Sequence, residues 1–329
     1  TTGIEDNHDM SMFPKLGGNF YAFSCYSLTG LTFTTTSESF SRFHVYQSSL
    51  KGELDLTNLT GLGGEFRVEY NKGDYYHTKP SWPNPRPVGL TKITHTASTV
   101  NFSKYHAYNC ALEGELDVSM LENLGGNFNV SYNYSGFTNY YGNLQNIKFP
   151  SNNRSITISA AHCNLQDNLD VTMMSGMTYL NVSHNVNLSG VTIQNDHPYP
   201  LTIHAYYRTG WATPSIPLKS WGSWDLSHVV GLTSLNVRYN TQLSGLTLPT
   251  TTNPMTLVGD NTSVGPDLDL TTCGGLKYLD FYDNPNLTGV TFTSSVEPIE
   301  RLQLHNCNLT GTLDISMLTT LGVGDPNDV

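Results

Sequence analysis

The chain has 329 residues, a formal net charge of −11 and only 13% charged residues, against 38% hydrophobic ones. That charge speaks against nucleic acid or an anionic membrane surface as a partner, and no run approaches the roughly 18 apolar residues of a membrane-spanning helix. No signal peptide is visible, as expected if one has been removed or if the chain is a fragment.

The first recognisable element is "DMSMFPKLGG" (9–18), and it keeps returning. It recurs as "LDLTNLTGLGG" (54–64), "LDVSMLENLGG" (116–126), "LDVTMMSGM" (169–177), "WDLSHVVGL" (224–232), "LDLTTCGGL" (268–276) and "LDISMLTTLGV" (313–323). Every copy holds an Asp, one apolar residue, then Ser or Thr. The aspartates are Asp9, Asp55, Asp117, Asp170, Asp225, Asp269 and Asp314, spaced by 46, 62, 53, 55, 44 and 45 residues. A basal period near 45 with insertions predicts a single solenoid over 1–329.

Between these phrases lies a second segment, seen in "YLNVSHNVNLSGVTI" (179–193), "SLNVRYNTQLSGLTL" (234–248), "YLDFYDNPNLTGVTF" (278–292) and "RLQLHNCNLTGTLDI" (301–315). Both halves share L-x-L-x-x-(N/C)-x-L-(T/S)-G. The pattern resembles the leucine-rich repeat, in particular the 21–23-residue variety of bacterial surface and secreted proteins. Leu276, Leu279, Phe281, Asn284 and Leu287 fit it, as do Ile299, Leu302, Leu304, Cys307 and Leu309. Towards the N-terminus Phe or Val replaces Leu, at Phe66, Val68 and Asn71 or Phe128, Val130 and Asn133.

The physical reading runs the same way. L-x-L alternates with period two and predicts a short strand. Stacked in parallel, about twelve such coils would rise by about 4.8 Å each, roughly 55–60 Å in all. The expected fold is a mainly β solenoid with one parallel sheet, extended or 3₁₀ return segments and three loop insertions. An inward Asn at the bend would satisfy backbone groups left unpaired there, and the Asp of each phrase would cap a turn through its Ser or Thr; a calcium ladder on these aspartates is the sharper alternative. Cys25, Cys110, Cys163 and Cys307 occupy the Asn position and are expected to be buried thiols. No metal-ligand spacing is present, and no cofactor is expected.

The insertions fall near 72–90, 134–146 and 206–224. They carry Tyr75, Tyr76, Trp82, Tyr140, Tyr141, Tyr207, Trp211, Trp221 and Trp224, flat groups suited to sugar rings or a protein partner. Leaving after Asn71, Asn133 and a third similar point, they should project from one edge. The outward strand positions are the other candidate. They pair His44 with Tyr46, Arg67 with Glu69, His106 with Tyr108, Asn129 with Ser131, Asn181 with Ser183, Asn236 with Arg238, Asp280 with Tyr282, and Gln303 with His305. In leucine-rich repeat proteins the matching surface binds protein or glycan, which is what the resemblance implies here. Sequons stand at Asn58, Asn101, Asn129, Asn133, Asn153, Asn181, Asn187, Asn261, Asn286 and Asn308, acceptors for glycans in a secretory host.

No G-x-S-x-G, H-E-x-x-H or phosphate-cradling loop is present, so an enzyme is not expected; a glycan-cleaving solenoid is the minor alternative. The chain opens and closes on the same phase of its repeat. That leads to the expectation of an extracellular structural or adhesive protein, part of a fibre, sheath or virion appendage, whose copies stack end to end. A monomeric secreted or cell-surface binder of glycan or protein is the alternative. Neither reading inserts into a membrane.

Overall fold

The structure, a computed structural model, describes residues 6–71, 89–133, 143–207, 221–293, 299–316 and 318. Among them every regular element is a strand, so no helix is long and apolar enough to cross a membrane. The chain forms two compact units, residues 1–169 and 170–329.

Two kinds of strand alternate along the chain. In the first unit the phrase strands and their partners are β1 (Asp6–Asp9), β3 (Leu28–Thr32), β5 (Gly52–Asp55), β7 (Leu90–Thr94), β9 (Glu113–Asp117) and β11 (Asn143–Lys148). Between them run β2 (Gly18–Tyr21), β4 (Phe40–His44), β6 (Gly64–Arg67), β8 (Phe102–His106), β10 (Leu124–Asn129) and β12 (Ile156–Ser159). β13 (Asp167–Asp170) spans the boundary. The second unit continues with β14 (Met177–Asn181), β15 (Leu188–Thr192), β16 (Leu201–His204), β17 (Gly222–Asp225), β18 (Leu232–Asn236) and β19 (Leu243–Thr247). It ends with β20 (Met255–Val258), β21 (Asp267–Leu270), β22 (Leu276–Asp280), β23 (Gly289–Phe292) and β24 (Arg301–Gln303).

The even-numbered strands are the L-x-L rungs. Six lie side by side in the first unit and six in the second, each in chain order and parallel to its neighbours. Twelve coils and a parallel sheet are what the period predicts. The return path is more ordered than expected, because its odd strands pair in parallel: β1 with β3, β5 with β7, β9 with β11, β17 with β19, and β21 with β23. The 3₁₀ expectation survives only as single turns. Leu59 N donates to Leu56 O at 2.9 Å and Leu62 N to Leu59 O at 3.1 Å, with the same pair of turns at Val229 and Leu232.

Register explains the core. Equivalent residues of adjacent coils sit opposite one another, so each inward position becomes a column. In the first unit one column is a ladder of rings: Phe20–Phe43 at 5.2 Å, Phe43–Phe66 at 5.6 Å, Phe66–Tyr105 at 4.8 Å and Tyr105–Phe128 at 5.1 Å between centroids. In the second unit Leu180, Ile203, Leu235, Leu257 and Leu279 fill that position, all buried. The Tyr105 hydroxyl lies inside this core and is matched by a buried His95, whose Nε2 stands 2.8 Å away. The second Gly of "LGG" has a steric reason: at Gly64, with φ +63°, a Cβ would meet the Ser41 carbonyl oxygen at 2.1 Å.

Candidate functional site

Eleven of the twelve coils leave their rung through a left-handed residue. Ser24, Gln47, Tyr70, Asn109, Tyr132, His162, His184, Tyr239, Asn261, Asp283 and Asn306 all have φ between 51° and 62° without being glycine. The next residue locks the bend. Asn71 Nδ2 donates to Val45 O of the preceding coil at 2.6 Å and to Val68 O of its own at 2.7 Å, while its Oδ1 accepts from Ser48 N at 3.2 Å. Asn133 and Asn284 repeat the arrangement. Where Cys takes the place, the thiol turns to the same preceding carbonyl, Cys110 to Val68 at 3.0 Å and Cys163 to Val130 at 3.2 Å. Cys110, Cys163 and Cys273 are buried, but Cys25 is exposed and Cys307 half-buried; among the described residues their rungs β2 and β24 pair on one side only. None of the five cysteines is joined in a disulfide.

The Asp phrase caps its turn as expected, in all seven copies. Asp55 Oδ1 accepts from Thr57 N at 2.9 Å and from its hydroxyl at 2.7 Å, and Asp9, Asp117, Asp170, Asp225, Asp269 and Asp314 accept from the matching backbone N. The Thr57 hydroxyl, then its N–H, hold the Asp55 carboxyl below the usual carboxylate range. Among the described residues no group of three His, Cys, Asp or Glu is placed to hold a metal ion.

All three segments expected as insertions are shorter than expected: Leu90 opens β7, β11 begins at Asn143 and β17 at Gly222, while Tyr206 and Tyr207 still belong to the coil of β16, half-buried, with Tyr207 N bonded to Arg238 O. Tyr75, Tyr76, Trp82, Tyr140, Tyr141 and Trp211 lie outside the described residues. Trp221 and Trp224, expected as ligand contacts, are instead buried at 9% and 6% exposure, edge to face at 4.9 Å, with Trp224 Nε1 bonded to Val191 O. The reason lies in the phrase itself: in "WDLS" Trp224 stands where other copies have the inward Leu.

The outward strand positions also depart from expectation. His44, Glu69, Ser131 and Ser183 are buried, not exposed. The rings of this surface face one another along the stack. Phe23 and Tyr46 stack at 5.6 Å, Tyr132 and His162 at 4.7 Å, and Tyr282 and His305 at 4.6 Å, so one face of each of these rings is already covered. The sequence could not show this, because a ring's partner is one coil away.

Two charged groupings interrupt the rings. In the first unit Arg67 lies over the Tyr46 ring, 4.6 Å from its centroid, and gives Nε and Nη2 to Glu69 Oε1, Nε at 2.7 Å. Glu69 has no exposed surface, and its Oε2 has no hydrogen-bond partner. Beside it, His44 Nε2 stands 3.4 Å from Glu65 Oε2 without hydrogen-bond geometry and is likewise buried and unpartnered. Burial, then the Arg67 charge, lower the His44 pKa, so the ring is neutral at pH 7. His106 pairs through Nε2 with Asn127 Oδ1 at 2.8 Å and touches Tyr108, whose hydroxyl is raised by burial and then by Tyr70. In the second unit Arg238 Nε meets the buried Asp260 at 2.7 Å and its Nη2 meets the Tyr282 hydroxyl at 3.1 Å.

Of the sequons, Asn133 is excluded as a glycan acceptor, since its side chain is fully buried in the coil-to-coil bonds just described. Asn101, Asn153, Asn286 and Asn308 are exposed. Asn58, Asn129, Asn181, Asn187 and Asn261 are half-buried, and Asn129 and Asn181 cap the N–H of Ser131 and Ser183. Compared with known proteins, the chain matches no family model, no curated protein and no solved structure.

Proposed function

We propose that this chain is a non-enzymatic structural and adhesive protein of a cell or virion surface, a leucine-rich-repeat solenoid that assembles with further copies of itself. The observation that carries the reading is a group of large apolar side chains left exposed in the first unit. Met12, Phe13, Tyr21, Phe23 and Tyr26 are all exposed, Met12 at 77%. Exposed apolar side chains in such number suit a contact with another chain. A further copy that covers them by a head-to-tail contact does not close on itself, and so grows. The coil motif with its Asn ladder supports the repeat type, and the exposed sequons suit a secreted chain.

The test is sedimentation velocity over a concentration series, with negative-stain microscopy of the same samples. Rods that lengthen with concentration and vanish in Met12→Glu/Phe23→Glu support the reading; a monomer at every concentration overturns it. A second reading, a monomeric binding module, is favoured by the grouping around Arg67 and Glu69, where a charged pair is held on an otherwise polar sheet face.

A further inference from the structure

We propose that the outward face of the first unit carries a binding site for a neutral, hydroxyl-rich ligand, a saccharide, centred on Arg67 and Glu69 and completed by His44, Tyr46 and Tyr108.

The starting point is an imbalance. Buried polar atoms in folded chains nearly always have partners, and each exception asks for an explanation. Two exceptions fall side by side here. Glu69 Oε2 and His44 Nε2 are buried without a hydrogen-bond partner, and His44 lies directly across the strand pair from Arg67. Glu69 can accept as a carboxylate, and the neutral His44 ring can donate or accept through Nε2 according to its tautomer. The guanidinium of Arg67 spends Nε and one arm on Glu69 and keeps its remaining N–H groups, on a side chain 29% exposed. Tyr46 and Tyr108, one on each neighbouring coil, add hydroxyls able to donate or accept. Donors and acceptors therefore alternate within one patch, which is what a chain of hydroxyls requires.

Charge and shape narrow the class. Glu69 already neutralises Arg67, Glu65 lies within 3.6 Å of Lys104 Nζ, and the third cation beside His44, Arg42, gives Nη1 to the Tyr21 hydroxyl, so the two cations nearest Glu69 are matched by carboxylates. The chain's net charge of −11 disfavours anions further. A peptide would need an apolar pocket for an anchor side chain, whereas here the Tyr46 ring faces are taken by Phe23 and Arg67. A ligand hydroxyl reaches Glu69 when the half-exposed Tyr108 side chain turns aside, exchanging the Tyr108 bond to Tyr70 for one to the unpartnered Oε2 and leaving the Arg67–Glu69 pair in place. The site adjoins the exposed apolar group through the Phe23–Tyr46 stack, and its test is kept apart from that of self-assembly because the variants below leave Met12 and Phe23 unchanged.

The experiment is affinity gel electrophoresis of the whole chain in gels containing a soluble neutral glucan, a mannan, or polygalacturonate as the anionic probe. A random peptide pool on beads is run in parallel. Retardation by a neutral polysaccharide is expected, weakened about ten-fold or more in Arg67→Met and in Tyr46→Phe/Tyr108→Phe. The double Phe variant keeps the ring ladder, so a loss there is not a loss of fold. Glu69→Gln keeps the shape but removes the charge, and should weaken binding as well. Three outcomes overturn the proposal: no retardation by either neutral probe, retardation unchanged in all three variants, or capture by the peptide pool alone. Retardation by polygalacturonate alone also overturns it, because the charge argument would then be wrong.

Discussion

His95 offers the sharpest quantitative prediction. Burial in the core of the first unit lowers its pKa from 6.5 to about 4, and the opposing pull of Asp117 is the smaller effect. The ring makes one bond, to the Tyr105 hydroxyl, and its Nδ1 has no partner, so a second proton would sit buried and uncompensated. In the unfolded chain the same ring takes up a proton near pH 6.5. The unfolded state therefore binds more protons as pH falls from about 6.5 towards 4. The stability that His95 contributes is complete above that window and lost by its lower end. A shift of about 2.5 units corresponds to about 3 kcal/mol. The perturbation is His95→Gln, which is neutral at every pH and keeps a polar atom near Tyr105. The assay is urea unfolding followed by circular dichroism at pH 7 and pH 4, for both proteins. The parent should lose about 3 kcal/mol more than the variant between the two pH values. Carboxylates contribute equally to both and cancel. An equal loss in the two proteins would refute the reasoning, because the ring would then be protonated in the fold without penalty.

Four further outcomes follow from the same structure. Asn284→Ala strands the Gly259 and Phe281 carbonyls and the Thr262 N–H, and should cost about 3 kcal/mol or more in a denaturant titration, whereas Asn284→Cys, which can still reach the preceding carbonyl, should cost less. Asp55→Ala removes two bonds to Thr57 and should cost about 1 kcal/mol; because the folded pKa is lowered, the stability from this carboxyl is present above the ordinary Asp value and fades as pH falls through the folded one, visible as an acid-side difference between Asp55→Ala and the parent. Trp224→Ala should cost about 3–5 kcal/mol by thermal melting, and in the parent Trp221 and Trp224 should be poorly quenched by acrylamide, in contrast to a surface aromatic. Gly64→Ala should destabilise by about 1–3 kcal/mol through both its left-handed backbone and its approach to Ser41, read as a lower urea midpoint.

The parts of this architecture legible beforehand are those encoded within one coil. Leu279 and Phe281 alternate, Asn284 follows three residues on, and Asp269 precedes Thr271 by two; each relation is local and each is realised. The parts that were not legible depend on the neighbouring coil. Nothing in "RFHVY" says that His44 will be closed in between Tyr21 and Tyr46, and nothing in "FRVEY" says that Arg67 will fold back over Glu69 and the ring of the preceding coil. Trp224 departs from expectation for a different reason. Its size suggests a contact surface, although its place in the phrase, two residues before Leu226, marks it as inward.

The asparagine lock separates two kinds of sequence change. Because Asn71 and Asn133 fasten their own coil to the one before, the bend is secured on the upstream side of the point where residues 72–88 and 134–142 are added. Lengthening the chain there leaves the fastening bonds and the ring columns untouched. Segments of different length and composition can thus be exchanged at these positions without touching the bonds that set the pitch of the stack. Variation in length at these points is decoupled from the inheritance of the fold.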